Sequence, residues 1–122
     1  MVIDSDGDVR DLLEAMIELA DDLQLARAIG DAERGVASVA ALQPDLVLFD
    51  LDRPDADAMQ TVAELRAAAP DSRIIVFSAF PDPMTLMEVL RRGADDYLDK
   101  ARTWAELLPV IDLLCARSRS SR

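Results

Sequence analysis

Apolar and polar positions follow two rhythms along this chain, and the rhythms take turns. Met1–Asp4 is a short apolar stretch, and Asp8–Asp21 then sets Val9, Leu12, Leu13, Met16, Ile17 and Leu19 near helical spacing. Leu23–Ile29 alternates weakly and reads as a second strand, diluted by Arg27 and alanines. Gly30-Asp31 punctuates the pattern, and Asp31 can cap a helix through Val36, Val39, Ala40 and Leu42 that Gln43-Pro44 stops. Leu46–Phe49 is apolar without a break, as a strand covered on both faces requires. Ala58–Ala69 returns to helical spacing through Met59, Val62, Ala63 and Leu65 and ends at Pro70. Ile74, Ile75 and Val76 are β-branched and make Arg73–Phe77 a further buried strand. Pro83 opens a helix through Leu86, Val89 and Leu90 to a C-capping Gly93, and Tyr97-Leu98 is a last short strand. Thr103-Trp104-Ala105-Glu106 is a capping box, followed by an apolar stripe of Leu107, Leu108, Ile111, Leu114 and Cys115, with Pro109 bending the helix. Strands and helices in strict alternation, with apolar central strands, predict an α/β domain built on a five-stranded parallel sheet with helices on both faces.

Length adds that one compact domain is expected, over residues 1–115 of the 122. The remainder, 116–122, is Ser/Arg-rich and reads as a disordered tail or the start of a linker to a domain outside this chain. No apolar run approaches the roughly 18 residues of a membrane span, and Asp4, Asp6 and Asp8 stand where a secretory leader would be. The single cysteine, Cys115, cannot form an internal disulfide, which fits a reducing, cytoplasmic compartment. Charge changes the picture more. Against 24 Asp and Glu stand 13 Lys and Arg, and Arg117, Arg119 and Arg122 fall in the tail. So acidic a body repels phosphate backbones, which argues against nucleic-acid binding by this domain. Without histidine, imidazole is excluded from both catalysis and metal binding.

In a parallel sheet ligands gather at the carboxyl ends of the strands. There the sequence sets Asp4-Ser5-Asp6 after the first strand, Asp50 and Asp52 at the third, Ser78-Ala79 at the fourth and Asp99-Lys100 at the fifth. A carboxylate ending an apolar strand, as Asp50 does in DLVLFDLD, is costly to bury unless a cation meets it. Asp4, Asp50 and the backbone carbonyl of Asp52, with Asp6 as a further candidate, are hard oxygen ligands suited to Mg²⁺. Lys100 can neutralise a phosphoryl oxygen and Ser78 can donate to another, which makes Asp50 a nucleophile toward phosphorus.

These segments resemble the CheY-like receiver domains of two-component response regulators. The resemblance is carried by Val2-Ile3-Asp4 with Gly7–Leu13, Pro44–Asp50 with Pro54, Val76–Ala79, Arg92–Lys100 and Trp104–Leu108. It implies a (βα)5 flavodoxin-like fold with strand order 2-1-3-4-5. Asp50 would be the phospho-acceptor, Asp4 part of the metal site, Ser78 and Lys100 the phosphoryl contacts, and Tyr97 the aromatic that follows Ser78 when the domain switches. A sensor histidine kinase would be the donor, and the domain would be a signalling receiver rather than an enzyme, with at most self-catalysed phosphotransfer and slow autodephosphorylation. Lys100 followed by Ala101, a non-proline residue, and Glu106-Leu107-Leu108 are similar to the NarL/LuxR class, in which a helix-turn-helix effector domain follows the receiver and acts in transcription.

The chain departs from that family in Ser5, where a second acid is usual, in the lack of a glycine in Asp55–Ala58, and in Ala101, where many members have proline. Ser5 supports a second reading, a degenerate receiver that works as an interaction module without phosphate. Leu48–Asp52 also resembles the DxD strand end of haloacid-dehalogenase-type phosphatases, a weaker match that leaves the first 44 residues unexplained. Met84 and Met87 lie off their helix's apolar stripe as an adaptable surface or as packing, and Val110 and Leu113 suggest a homodimer contact.

Overall fold

The computed structural model describes residues 1–20, 23–53, 57–79, 82–100, 105 and 109. In chain order the elements are β1 (Val2–Ile3), α1 (Gly7–Glu18), β2 (Ala28–Ile29), α2 (Ala32–Leu42), β3 (Leu46–Asp50), α3 (Ala58–Ala68), β4 (Arg73–Ser78), α4 (Pro83–Arg92) and β5 (Asp96–Asp99). The strands form one parallel sheet in the order β2-β1-β3-β4-β5. Of the expected last helix, only Ala105 and Pro109 are described, and both are helical. Its Thr103 cap, Trp104, Val110, Leu113, Cys115 and the tail lie outside the described residues, as do Pro54–Ala56 and Ala101.

Strand alternation sorts the core into two layers. Ile3, Val47, Phe49, Ile74 and Val76 point to one face, where Val39 of α2, Val62 and Leu65 of α3 and Val89 of α4 cover them. Val2, Leu48, Ile75, Phe77 and Leu98 point to the other, against Leu13 and Ile17 of α1. Burying each such side chain contributes about 1.5–3 kcal/mol, so together these layers dominate the stability of the sheet. Gly35 lets α2 approach closely, since a Cβ there would stand 2.8 Å from the Ile3 side chain. Gly93 closes α4 with φ of 117°, a conformation that costs other residues strain.

All of the described helices, α1 to α4, start behind an aspartate, Asp6, Asp31, Asp57 and Asp82, whose carboxylate accepts main-chain N–H groups of the first turn. Part of the acidity read from composition is therefore spent on caps, where it also suits the helix dipole. The strand expected over Leu23–Ile29 is shorter, confined to Ala28–Ile29. Leu23 and Leu25 do turn inward onto the α1 layer, but the ladder to β1 begins only at the Arg27 carbonyl, which accepts from Val2 N–H at 2.9 Å. The alternation was therefore a packing pattern before it was a hydrogen-bonding one.

Candidate functional site

The strands all run parallel, but the order in which they are added reverses between β1 and β3, and a crevice opens at such a point beyond the carboxyl ends of the strands. Register decides who meets there. Ile3 pairs with Phe49, so Asp4 and Asp50 come at the ends of neighbouring strands. Asp50 pairs with Phe77 and Ser78 with Asp99, which brings Ser78 and Lys100 to the same edge.

Asp4 is fully buried and Asp50 is 1% exposed, so the two carboxylates share a site with little water. Asp4 Oδ1 accepts from Asp6 N–H at 2.8 Å, while Oδ2 is buried with no hydrogen-bond partner. Burial, and then the nearby Asp50 charge, push the Asp4 carboxyl up to about 6, against the opposing Asp6 amide and Lys100. Asp50 Oδ1 accepts from Asp52 N–H at 2.9 Å and lies 3.0 Å from Lys100 Nζ. Burial works against the ammonium, but Asp50, Asp4 and Asp52 outweigh it and hold Lys100 above its ordinary value. Its Nζ also sits 5.9 Å from the centre of the Phe77 ring.

Asp52 contributes more than the backbone carbonyl expected of it. Its Oδ1 accepts from Ser78 Oγ at 2.8 Å, and its Oδ2 accepts from Ala79 N–H at 2.7 Å and lies 3.4 Å from Lys100 Nζ. Burial would raise this carboxyl, yet the Ala79 amide, the Ser78 hydroxyl and Lys100 together hold it below its ordinary range. Tyr97, half-buried opposite Val76, carries its buried hydroxyl near Ser78 without completing a hydrogen bond. Burial raises its phenol above the ordinary value, with Ser78 opposing.

Asp4, Asp50, Asp52, Ser78 and Lys100 are thus brought together. Asp6 is not, because its exposed carboxylate is taken by the Asp8 amide at the start of α1, and Ser5 is exposed as well. Two arginines complete the surroundings. Arg10 Nη1 donates to the Asp4 carbonyl at 2.6 Å, and Arg53 packs 5.2 Å above the Phe49 ring and donates to the Gly30 carbonyl. Neither arginine, nor the Ala79 amide, was legible as a site group, since each meets a distant partner and the arginines bond to main-chain carbonyls that carry no sequence signal; Asp52 was expected only through its carbonyl, and its carboxylate role was not.

Among the described residues no three His, Cys, Asp or Glu side chains gather in a metal-holding arrangement. The buried, partnerless oxygen of Asp4 beside a second buried carboxylate nonetheless fits a cation, which would offset both charges. Among the described residues no helix is long and apolar enough to cross a membrane.

Comparison with known proteins agrees with this architecture. The response regulator receiver domain profile matches residues 1–112. The chain is 31% identical over 111 residues to the nitrate/nitrite response regulator protein NarL of Escherichia coli (strain K12), covering 91% of this chain and 51% of that protein. It is 33% identical over 121 residues to the transcriptional regulatory protein PrrA of Mycobacterium tuberculosis, covering 99% of this chain and 51% of that protein. The chain spans about half the length of these curated relatives. Among solved structures, the signal receiver domain of the putative response regulator NarL from Mycobacterium tuberculosis superposes with a TM-score of 0.84 at 25% identity, over 95% of this chain and 93% of that one.

Proposed function

This chain belongs to the response regulator receiver domain family of two-component signalling, and from that membership we propose that Asp50 accepts a phosphoryl group from a phosphohistidine on a sensor histidine kinase. The observation that supports this most is the buried Asp50 carboxylate held at 3.0 Å by Lys100, with the partnerless Asp4 oxygen beside it. Receiver domains generally bind Mg²⁺ at their acidic pocket; here Asp4, Asp50 and the Asp52 carbonyl would hold it, and bound there it would supply charge to offset the transferring phosphoryl group.

In this reading a carboxylate oxygen of Asp50 attacks phosphorus in line as the bond from phosphorus to the donor nitrogen breaks, leaving the imidazole with the electron pair. A proton on the donor ring's other nitrogen lets the imidazole leave neutral. Lys100 takes a phosphoryl oxygen as a point charge, and the Ser78 hydroxyl and Ala79 N–H are the donors for the others. Phosphorylation raises the local charge from about −1 toward −2, so these groups bind more tightly in one arrangement and Tyr97 follows Ser78. The output surface would be α4, β5 and the last helix, where Met84 and Met87 are exposed and Val110 and Leu113 could meet a second copy. Slow hydrolysis of the acyl phosphate would be the only enzymatic activity.

The wider setting belongs to the same proposal: a cytoplasmic regulator, with transcription as output through a C-terminal helix-turn-helix domain outside this chain, as in NarL/LuxR relatives, while the acidic receiver itself binds no nucleic acid. One observation favours a second reading. With Ser5 in place of an acid, Asp6 occupied as a cap and the Asp52 carboxylate taken by Ser78 and Ala79, Asp4 and Asp50 are the carboxylates of the site left for the metal among the described residues, which suits a receiver that serves as a phosphate-independent interaction module. Incubation with acetyl phosphate and Mg²⁺, read by intact mass, separates the two. The phospho-acceptor reading expects a single Mg²⁺-dependent phosphoryl adduct that Asp50→Asn lacks. A folded protein without an adduct at saturating donor and Mg²⁺ leaves the interaction module.

A further inference from the structure

The groups best placed to bind a phosphoryl group on Asp50 are not idle in the resting domain. Ser78 Oγ and Ala79 N–H each donate to a different oxygen of the Asp52 carboxylate, at 2.8 and 2.7 Å, and Lys100 Nζ spans Asp50 and Asp52 at 3.0 and 3.4 Å. Asp52 thereby offers the same three donors what a phosphoryl group would offer: two oxygen acceptors and negative charge. Its own N–H donates to Asp50 Oδ1, which ties the loop carrying this carboxylate to the nucleophile.

Building on the proposed function, we infer that the Asp52 carboxylate is an internal stand-in for the phosphoryl group, occupying Ser78, Ala79 and Lys100 until transfer to Asp50 displaces it. Two costs follow for the incoming group. The charge-assisted hydrogen bonds to Asp52 must break before the phosphoryl oxygens can take their donors. A phosphoryl group carrying nearly two charges must also sit beside the Asp52 anion, which opposes it. An exit exists, since the Asp52 side chain is 36% exposed and can turn to water. The site is therefore biased toward the unphosphorylated state by a residue that touches neither the donor nor the scissile bond, which makes Asp52 a positioning residue with a regulatory effect.

With acetyl phosphate as probe, the bond between phosphorus and the acetate oxygen breaks, acetate leaves with the electron pair, and a bond from phosphorus to Asp50 forms. Wild type, Asp52→Ala, Asp52→Asn and the double variant Asp50→Asn/Asp52→Ala are followed by intact mass in Mg²⁺, with the Ala79 amide signal recorded by NMR in the phosphate-free proteins. The inference expects initial phosphorylation about tenfold faster in Asp52→Ala, the factor that loss of roughly one charge-assisted hydrogen bond supplies. Asp52→Asn, which keeps an acceptor oxygen without the charge, should fall between, and the Ala79 amide should shift strongly in Asp52→Ala. A residue with only a structural role would change the urea midpoint and leave the rate of the folded protein alone. Equal rates in wild type and Asp52→Ala, with an adduct the double variant lacks, would overturn the stand-in while leaving Asp50 as acceptor. A slower Asp52→Ala would also overturn it, by making the carboxylate a helper of the metal. No adduct in any variant would sink the phospho-acceptor reading itself, and this inference with it.

Discussion

Two carboxylates end up beside cations at opposite ends of the same sheet, and they are treated differently. Asp95, just before β5, is saturated: Ile74 N–H donates to its Oδ2 at 2.7 Å, Arg66 Nη2 donates to the same oxygen at 2.8 Å, and Arg73 stands 3.7 Å from Oδ1. Arg66 also donates to the carbonyls of Gly93, Pro70 and Ser72 at 2.9, 3.0 and 2.7 Å, so one guanidinium fastens the ends of α3 and α4 to the amino edge of the sheet. At the carboxyl edge Asp4 is buried more deeply, keeps an oxygen with no donor, and faces a second anion. A carboxylate whose hydrogen bonds are complete is a fastening; one left short among like charges holds free energy that a ligand can release. The contrast marks the carboxyl edge as the candidate site without reference to any relative.

The sharpest way to break that contrast is to remove the central cation at each edge. Lys100→Met should slow phosphorylation by acetyl phosphate about a hundredfold, as loss of a charge-stabilising donor does. Arg66→Ala should leave the rate of the folded protein within about twofold, because it lies outside the transfer site. Stability should respond in the opposite order. Arg66→Ala strands Asp95 and several carbonyls and should lower the unfolding free energy by about 2–4 kcal/mol, seen as a lower urea midpoint. Unchanged stability in that variant would mean that the amino edge is not a fastening.

Asp4 adds a dependence on pH. Its carboxyl is raised to about 6 in the folded protein, so between its unfolded and folded values the native state holds the extra proton. Stability from this group is therefore present at low pH and is lost as pH rises through about 6, by about 1–2 kcal/mol after allowance for screening. Wild type should lose that amount relative to Asp4→Asn between about pH 4 and 7 in urea titrations, and Mg²⁺ should restore much of it near pH 7 by offsetting the charge. Parallel pH profiles for the two proteins would show that Asp4 is not strained. The smallest effect belongs to the half-exposed Glu88–Arg92 pair on α4, at 2.8 Å: Arg92→Gln should cost at most about 0.5 kcal/mol, since such a pair is well screened by water.

Helix starts at Asp31 and Pro83, the stop at Pro70, the cap at Gly93 and the apolar strands Leu46–Phe49 and Arg73–Phe77 were all legible, because each rests on local chemistry or on a period of the chain. Asp50, Ser78 and Lys100 were legible as strand ends once a parallel sheet was inferred. Gln43 was read only as part of a stop. Its left-handed backbone, with φ of 47°, and its side-chain Nε2 donating to Ala40 and Ala68 at 2.9 and 2.8 Å show that it ties α2 to α3, which no local pattern announces.

The alternation of elements, the parallel sheet and the acids that would crowd one edge are written into the residue order, since periodicity, caps and strand ends act over a few neighbouring residues. Which of those acids find donors and which are left in tension depends on contacts between distant segments. Asp6 and Asp52 are both acids two residues beyond a strand-end aspartate; the helical period behind Asp6 marks it as a cap, but nothing near Asp52 says that it takes the Ser78 hydroxyl and the Ala79 amide. That difference comes from strand register and from donors 26 and 27 residues away, whose strength depends on burial that the fold alone creates.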